Sequence, residues 1–94
     1  MITSSGLKGA SAVIYAGPCW YLGVTFVGDT GKEPTLTIYN NATEGSGTVV
    51  DFVMVSDECH TVVTNYSPEG VYCSAGIYAS LSAAEGDYVV RYRL

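Results

Sequence analysis

The chain has 94 residues, 4 Lys and Arg against 9 Asp and Glu for a formal net charge of −5, and only 14% charged residues beside 48% hydrophobic ones. This is room for one compact domain, 1–94, too apolar for disorder. With a pI near 4.4 and only Lys8, Lys32, Arg91 and Arg93 it cannot present the basic stripe that a phosphate backbone requires, which excludes nucleic acid as a partner. A membrane partner is likewise not expected, because the apolar run Val49 to Val55 is broken by Asp51 and falls short of the roughly 20 residues that span a bilayer, and Met1 to Ala16 lacks the apolar block of a signal peptide.

Twelve Val, four Ile and nine Thr fall in short runs punctuated by Gly, Pro, Asn and Asp, the composition of an all-β chain. Met1 to Ser11 is small and polar and reads as an extended N-terminal arm, floppy alone or docked on a neighbour. Val13 to Tyr15 precedes the corner Ala16-Gly17-Pro18, and Cys19 to Val27 is the first long strand. Strict alternation there sends Trp20, Leu22, Val24 and Phe26 to one face, the core, and Cys19, Tyr21, Gly23 and Thr25 to the other.

The loop Gly28 to Pro34 leads to a strand over Thr35 to Asn40, with Leu36 and Ile38 inward and Thr35, Thr37 and Tyr39 outward. Asn41 to Gly47 is a second long connection with room for one helical turn. Thr48 to Ser56 is apolar on both faces apart from Asp51, with Val50, Phe52 and Met54 opposite Val49, Val53 and Val55, so both faces call for cover, one by core and the other by a partner or loop. Thr61 to Asn65 ends at Ser67-Pro68-Glu69-Gly70. Val71 to Cys73 is expected to pair with Ile77 to Leu81, and Ser82 to Asp87 makes a last hairpin into Tyr88 to Arg93, where Tyr88, Val90 and Tyr92 alternate with Val89, Arg91 and Arg93. The result is a compact antiparallel β-sandwich or jelly roll of about eight short strands.

The sequence offers little convergent chemistry, and the expectation is no enzyme, no catalytic residue, no metal and no cofactor. Cys59 and His60 are adjacent and so point to opposite faces of a strand, wrong for a nucleophile and its base. With Asp57 and Glu58 they lack the paired ligand spacing of a zinc site. Asp29 with Glu33 and Glu85 with Asp87 do not sit in a calcium-loop pattern. Gly45-Ser46-Gly47-Thr48 is not followed by Gly-Lys-[Ser/Thr], and the glycosylation spacings at Asn41 and Asn65 read as chance. Cys19, Cys59 and Cys73 are an odd count without framework spacing, which points to a reducing compartment.

Two longer segments carry a resemblance. Leu36-Thr37-Ile38-Tyr39-Asn40-Asn41-Ala42-Thr43-Glu44-Gly45-Ser46-Gly47-Thr48-Val49-Val50 resembles the "apolar strand, Tyr-Asp/Asn, small polar loop, Gly-Thr, apolar strand" block of small tailed-phage virion proteins. Gly76-Ile77-Tyr78-Ala79-Ser80-Leu81 with Gly86-Asp87-Tyr88-Val89-Val90-Arg91-Tyr92-Arg93 is similar to their closing strand pair. The resemblance implies a β-sandwich that decorates or cements a capsid, made in the host cytoplasm and carried on the virion surface, with the major capsid protein as partner and a homo-oligomer, a trimer first, as its assembled state. It carries no functional residue across. The residues expected to meet protein neighbours are the arm residues Met1, Ile2, Thr3, Leu7 and Lys8, the outward tyrosines Tyr21, Tyr39 and Tyr78, and the strand arginines Arg91 and Arg93. The alternative is a carbohydrate- or receptor-binding sandwich of a phage fibre or cell surface, suggested by the abundance of tyrosine.

Overall fold

The computed structural model describes residues 2–56 and 58–94; Met1 and Asp57 lie outside the described residues. Its strands are β1 (Ile2–Ser4), β2 (Ala12–Ala16), β3 (Cys19–Gly28), β4 (Thr35–Asn40), β5 (Thr48–Met54), β6 (Thr61–Val63), β7 (Val71–Cys73), β8 (Gly76–Leu81) and β9 (Gly86–Arg93). They form two antiparallel sheets, ordered β1-β9-β3-β6 with β7 also on β3, and β2-β8-β4-β5. The all-β sandwich is therefore as expected, with one strand more.

That extra strand lies in the arm. Residues 2–4 pair antiparallel with β9, Ile2 opposite Arg93 and Ser4 opposite Arg91. Beyond them Ser5 N–H donates to the Val90 carbonyl at 2.8 Å, Lys8 and Tyr88 exchange two backbone bonds of 2.9 Å, and the Tyr88 hydroxyl donates to the Ala10 carbonyl at 2.7 Å. The arm, read from sequence as floppy alone or docked on a neighbour, in its described residues docks on β9 of the same chain, covering an edge that would otherwise be unpaired.

The core lies between the sheets and is built from the alternation the sequence displays on β4, β8 and β9: Leu36 and Ile38, Ile77, Ala79 and Leu81, and Tyr88 and Val90. Each of the larger aliphatic side chains among them contributes about 1.5–3 kcal/mol on removal from water. On β3 the alternation breaks. Tyr21 stands opposite Tyr92 but Gly23 opposite Arg91, so Leu22 is an extra residue, a bulge. A bulge shifts the side-chain phase by one residue. Cys19 and Tyr21 face the core before it, and Val24 and Phe26 after it. Three sequence expectations are thereby corrected: Cys19, which the alternation placed opposite the core, is buried in it. Trp20 is not a core residue but lies on the outer face, and Tyr21 is not outward but wholly buried.

Pairing between elements distant in sequence also departs from expectation. Val71–Cys73 pairs with Cys19–Tyr21 of β3, not with the strand that follows it, which instead lies between β2 and β4 in the other sheet. Likewise β8 and β9 belong to different sheets, so the expected hairpin of Ser82 to Asp87 is instead a crossing between layers over Ser82 to Glu85, with Gly86 and Asp87 already in β9. The loop after β4 has no helical turn among its residues. It is shaped by Asn41, whose carboxamide oxygen accepts from the Thr43 and Glu44 N–H groups at 2.8 and 3.1 Å while its amide nitrogen donates to the Ser46 carbonyl at 3.0 Å.

Candidate interaction surface

At one side of the sandwich β5 and β6 are the terminal strands of their respective sheets, and the single charge on β5 is turned between them. Asp51 Oδ2 accepts from the Tyr21 hydroxyl at 2.8 Å and from Thr64 Oγ1 at 3.0 Å, and its Oδ1 accepts from the Phe52 N–H at 2.9 Å. Thr64 in turn receives the Val24 N–H at 3.1 Å. Its carbonyl takes Arg91 Nη2 at 2.7 Å, while Arg91 Nη1 donates to Thr25 Oγ1 at 2.9 Å. Burial, and then the neighbouring Asp51 carboxylate, push the Tyr21 hydroxyl well above the usual phenol range. Tyr21 is thus a neutral donor that holds the edge carboxylate inward.

Gly23 makes this approach possible. Its φ of +137° is a conformation that side chains avoid, and a Cβ there would collide with the Thr64 carbonyl. The backbone beyond β6 can consequently lie against β3, with Thr64 N–H donating to Val24 O at 2.9 Å and Tyr66 N–H to Leu22 O at 2.7 Å.

With Asp51 turned inward, the other face of β5 carries no charge. Val49, Phe52 and Met54 stand opposite Tyr39, Thr37 and Thr35 on the outer face, at 53%, 51% and 60% exposure. The row continues across β8 and β2 through Tyr78, Ser80 and Val13. Tyr78 and Ser80 are half-buried because the 41–47 loop folds back over them, bringing Gly45 against both. The exposed apolar part of the sheet is therefore concentrated on its edge strand, whose outer backbone groups have no partner strand among the described residues. One face of this segment is buried as expected, Val53 and Val55 at 5% and 4%, but a register irregularity after Ile38 exchanges the expected faces of its first residues: Val49 lies outward with Phe52 and Met54, and Val50 packs against the core.

The residues named from sequence scatter around this surface. Tyr39 and Tyr78 lie on the same sheet as neighbours in register. Ile2, Thr3, Leu7 and Lys8 lie along β9 on the other sheet, with Ile2 and Leu7 exposed. Arg93 stands there too, its guanidinium 4.3 Å from the Trp20 ring centroid, and Trp20 packs on Tyr72 at 4.9 Å. Met1 lies outside the described residues. Among the described residues no three His, Cys, Asp or Glu side chains gather as metal ligands would, and Asp57, considered with Cys59 and His60 as a ligand, is not among them.

No family model, curated protein or solved structure matches this chain. Its function must be argued from its own surfaces. The sequence marks Val49, Phe52 and Met54 as part of a strand that needs cover, places Trp20 in the core, and gives no sign of Tyr72. The run of apolar residues on both faces of β5 is the local signal for the first three, whereas the placement of Trp20 depends on a bulge that no local pattern announces.

Proposed function

We propose that this chain is a structural protein of a tailed-phage virion, a capsid decoration protein that binds the major capsid protein on the outer surface of the head and does no chemistry of its own. The observation that supports this reading is the uncharged row Val49, Phe52 and Met54 on an edge strand whose own carboxylate is drawn inside. Such an edge offers a neighbour both main-chain hydrogen bonds and apolar contact. The molecule measures 36 × 25 × 20 Å, so a broad face is of the size of a standard interface, about 800 Å² per partner. Burying apolar area there contributes roughly 25 cal/mol per Å², less the cost of immobilising a partner. Repetition over a capsid lattice, and oligomerisation into trimers, multiply a modest single contact through effective concentration.

The test is quantitative mass spectrometry of purified particles. The chain is expected in many copies per virion, and the folded double variant Phe52→Lys, Met54→Lys is expected to be missing from them. Recovery of the unaltered chain only from infected-cell lysate, never from particles, would overturn the reading.

One observation favours a second reading, a carbohydrate- or receptor-binding module of a fibre or cell surface. Trp20, Tyr72 and Arg93 form an outward aromatic and cationic cluster of the kind that stacks on sugar rings. A glycan array separates the two: binding that disappears in Trp20→Ala supports this module, and a blank array leaves the capsid surface as the partner.

A further inference from the structure

Two of the three cysteines face each other inside the sandwich. Cys19 opens β3 and Cys73 closes β7; they are direct partners in the antiparallel register, both are free and neither has exposed surface. Directly opposed residues in an antiparallel pair lie 4.5 or 5.5 Å apart between Cα atoms, according to their place in the ladder, with both side chains on one face. Both spacings fall within the roughly 4.4–6.8 Å that a disulfide spans. The third cysteine, Cys59, is exposed in the turn before β6, its thiol donating to the Thr61 carbonyl at 3.4 Å.

The attachment of β7 makes this pair accessible. It is a three-residue strand that, among the described strands, pairs with β3 alone, with Val71 and Tyr72 exposed, between the Ser67 to Gly70 turn and the Ser74-Ala75 corner. Its flanks are tied by the packing of Tyr72 on Trp20, by the Gly17 N–H to the Ala75 carbonyl at 2.9 Å, and by the Asn40 side chain, which accepts from Ala75 N–H at 2.9 Å and donates to Ser74 Oγ at 3.3 Å. Short edge segments of this kind open locally at far less cost than global unfolding. Closed, the site protects its thiols: burial, and the proximity of Cys73, raise the Cys19 thiol to about 11, and burial raises Cys73 as well. Reaction therefore requires β7 to open.

We propose that Cys19 and Cys73 form a reversible covalent modification site, a cross-strand disulfide that closes when the protein passes from a reducing to an oxidising medium. The oxidant is a small-molecule disulfide such as glutathione disulfide. One cysteine loses its proton to water, and its thiolate attacks a sulfur of the oxidant, breaking that S–S bond and releasing one glutathione thiolate, which takes up a proton. The second cysteine thiolate then attacks the protein sulfur of the mixed disulfide and expels the second glutathione. Two protein thiols are oxidised and one small disulfide is reduced to two thiols. The new bond closes the loop from residue 19 to residue 73 and fixes β7 to β3, which restricts the unfolded chain. The site stands on the strand register and is independent of the binding role proposed above.

The experiment uses the full chain with Cys59→Ser, incubated at pH 8 with excess glutathione disulfide and followed by intact mass and alkylation. The expected product is a monomer lighter by two hydrogens with no alkylatable thiol, Cys19 and Cys73 joined in one crosslinked peptide, and a thermal midpoint higher by roughly 10 °C that dithiothreitol restores to its starting value. The further variant Cys73→Ala is expected to show neither change. Persistence of both thiols, accumulation of a glutathione adduct, a bond between two chains, or a disulfide that lowers the thermal midpoint would each overturn the proposal.

Discussion

The Tyr21 hydroxyl donates to the Asp51 carboxylate at 2.8 Å, a bond that crosses from the middle of one sheet to the edge strand of the other. Tyr21 has no exposed surface, and Thr64 is the second hydroxyl donor on the same oxygen. The carboxylate accepts from both hydroxyls at short range. Replacing Asp51 with Ala leaves them to each other across 3.4 Å and is expected to cost about 2–3 kcal/mol, with Tyr21→Phe costing about 1–2. Urea denaturation of the two variants measures both. Equal stability of Asp51→Ala and the parent would show that the bridge does not hold the sheets together.

Gly23 and Gly31 both have positive φ, at 137° and 75°, but only Gly23 faces backbone where a Cβ would be. Gly31→Ala should cost about 1 kcal/mol, a conformational penalty alone, whereas Gly23→Ala must also displace the Thr64 carbonyl from the Arg91 guanidinium and should cost several times more. The ratio of the two effects is the informative quantity, read from denaturation midpoints under identical conditions.

Because the N-terminus completes the sheet on β9, its removal should affect folding before it affects binding. A chain beginning at Ser11 loses the bonds at Ser5 and Lys8 and the acceptor of the Tyr88 hydroxyl. At about 1 kcal/mol net for each bond, roughly 3–5 kcal/mol of stability is lost, a large part of what a small domain possesses. Circular dichroism melting is expected to show a much lower midpoint. An unchanged midpoint would mean that β1 contributes nothing to stability.

Alkaline pH should unfold the protein. Burial raises Cys19 from 9.0 to about 11 and Tyr88 from 10.0 to about 12, and Tyr21 further. Groups whose folded pKa lies above the unfolded value contribute stability that is complete below the unfolded pKa and is lost as pH rises toward the folded one. The urea midpoint should be level up to about pH 9 and fall steadily to about pH 12. Tyr88→Phe, although less stable at pH 7 for want of its bond to Ala10, should lose less stability between pH 10 and 12 than the parent.

What the sequence by itself determined is what a strand's period of two can express. Leu36 and Ile38, and Tyr88 and Val90, are buried as their alternation requires, and the bounds of β4 follow from its flanking turns, because such a signal needs only neighbours along the chain. Tertiary structure decided the rest. The bulge at Leu22 reversed the faces of Trp20 and Tyr21, since one extra residue moves every earlier side chain to the other side and is specified by the strands on either flank rather than by β3 itself. Pairing Val71–Cys73 with β3 brought Cys19 and Cys73 together across 54 positions of sequence, a choice of partners made by packing and loop closure that no local pattern carries. The candidate surface arose in the same way: Phe52 and Met54 are legible as apolar, but only the sheet order leaves them on an uncovered edge while Asp51 is drawn inside by a tyrosine thirty residues earlier.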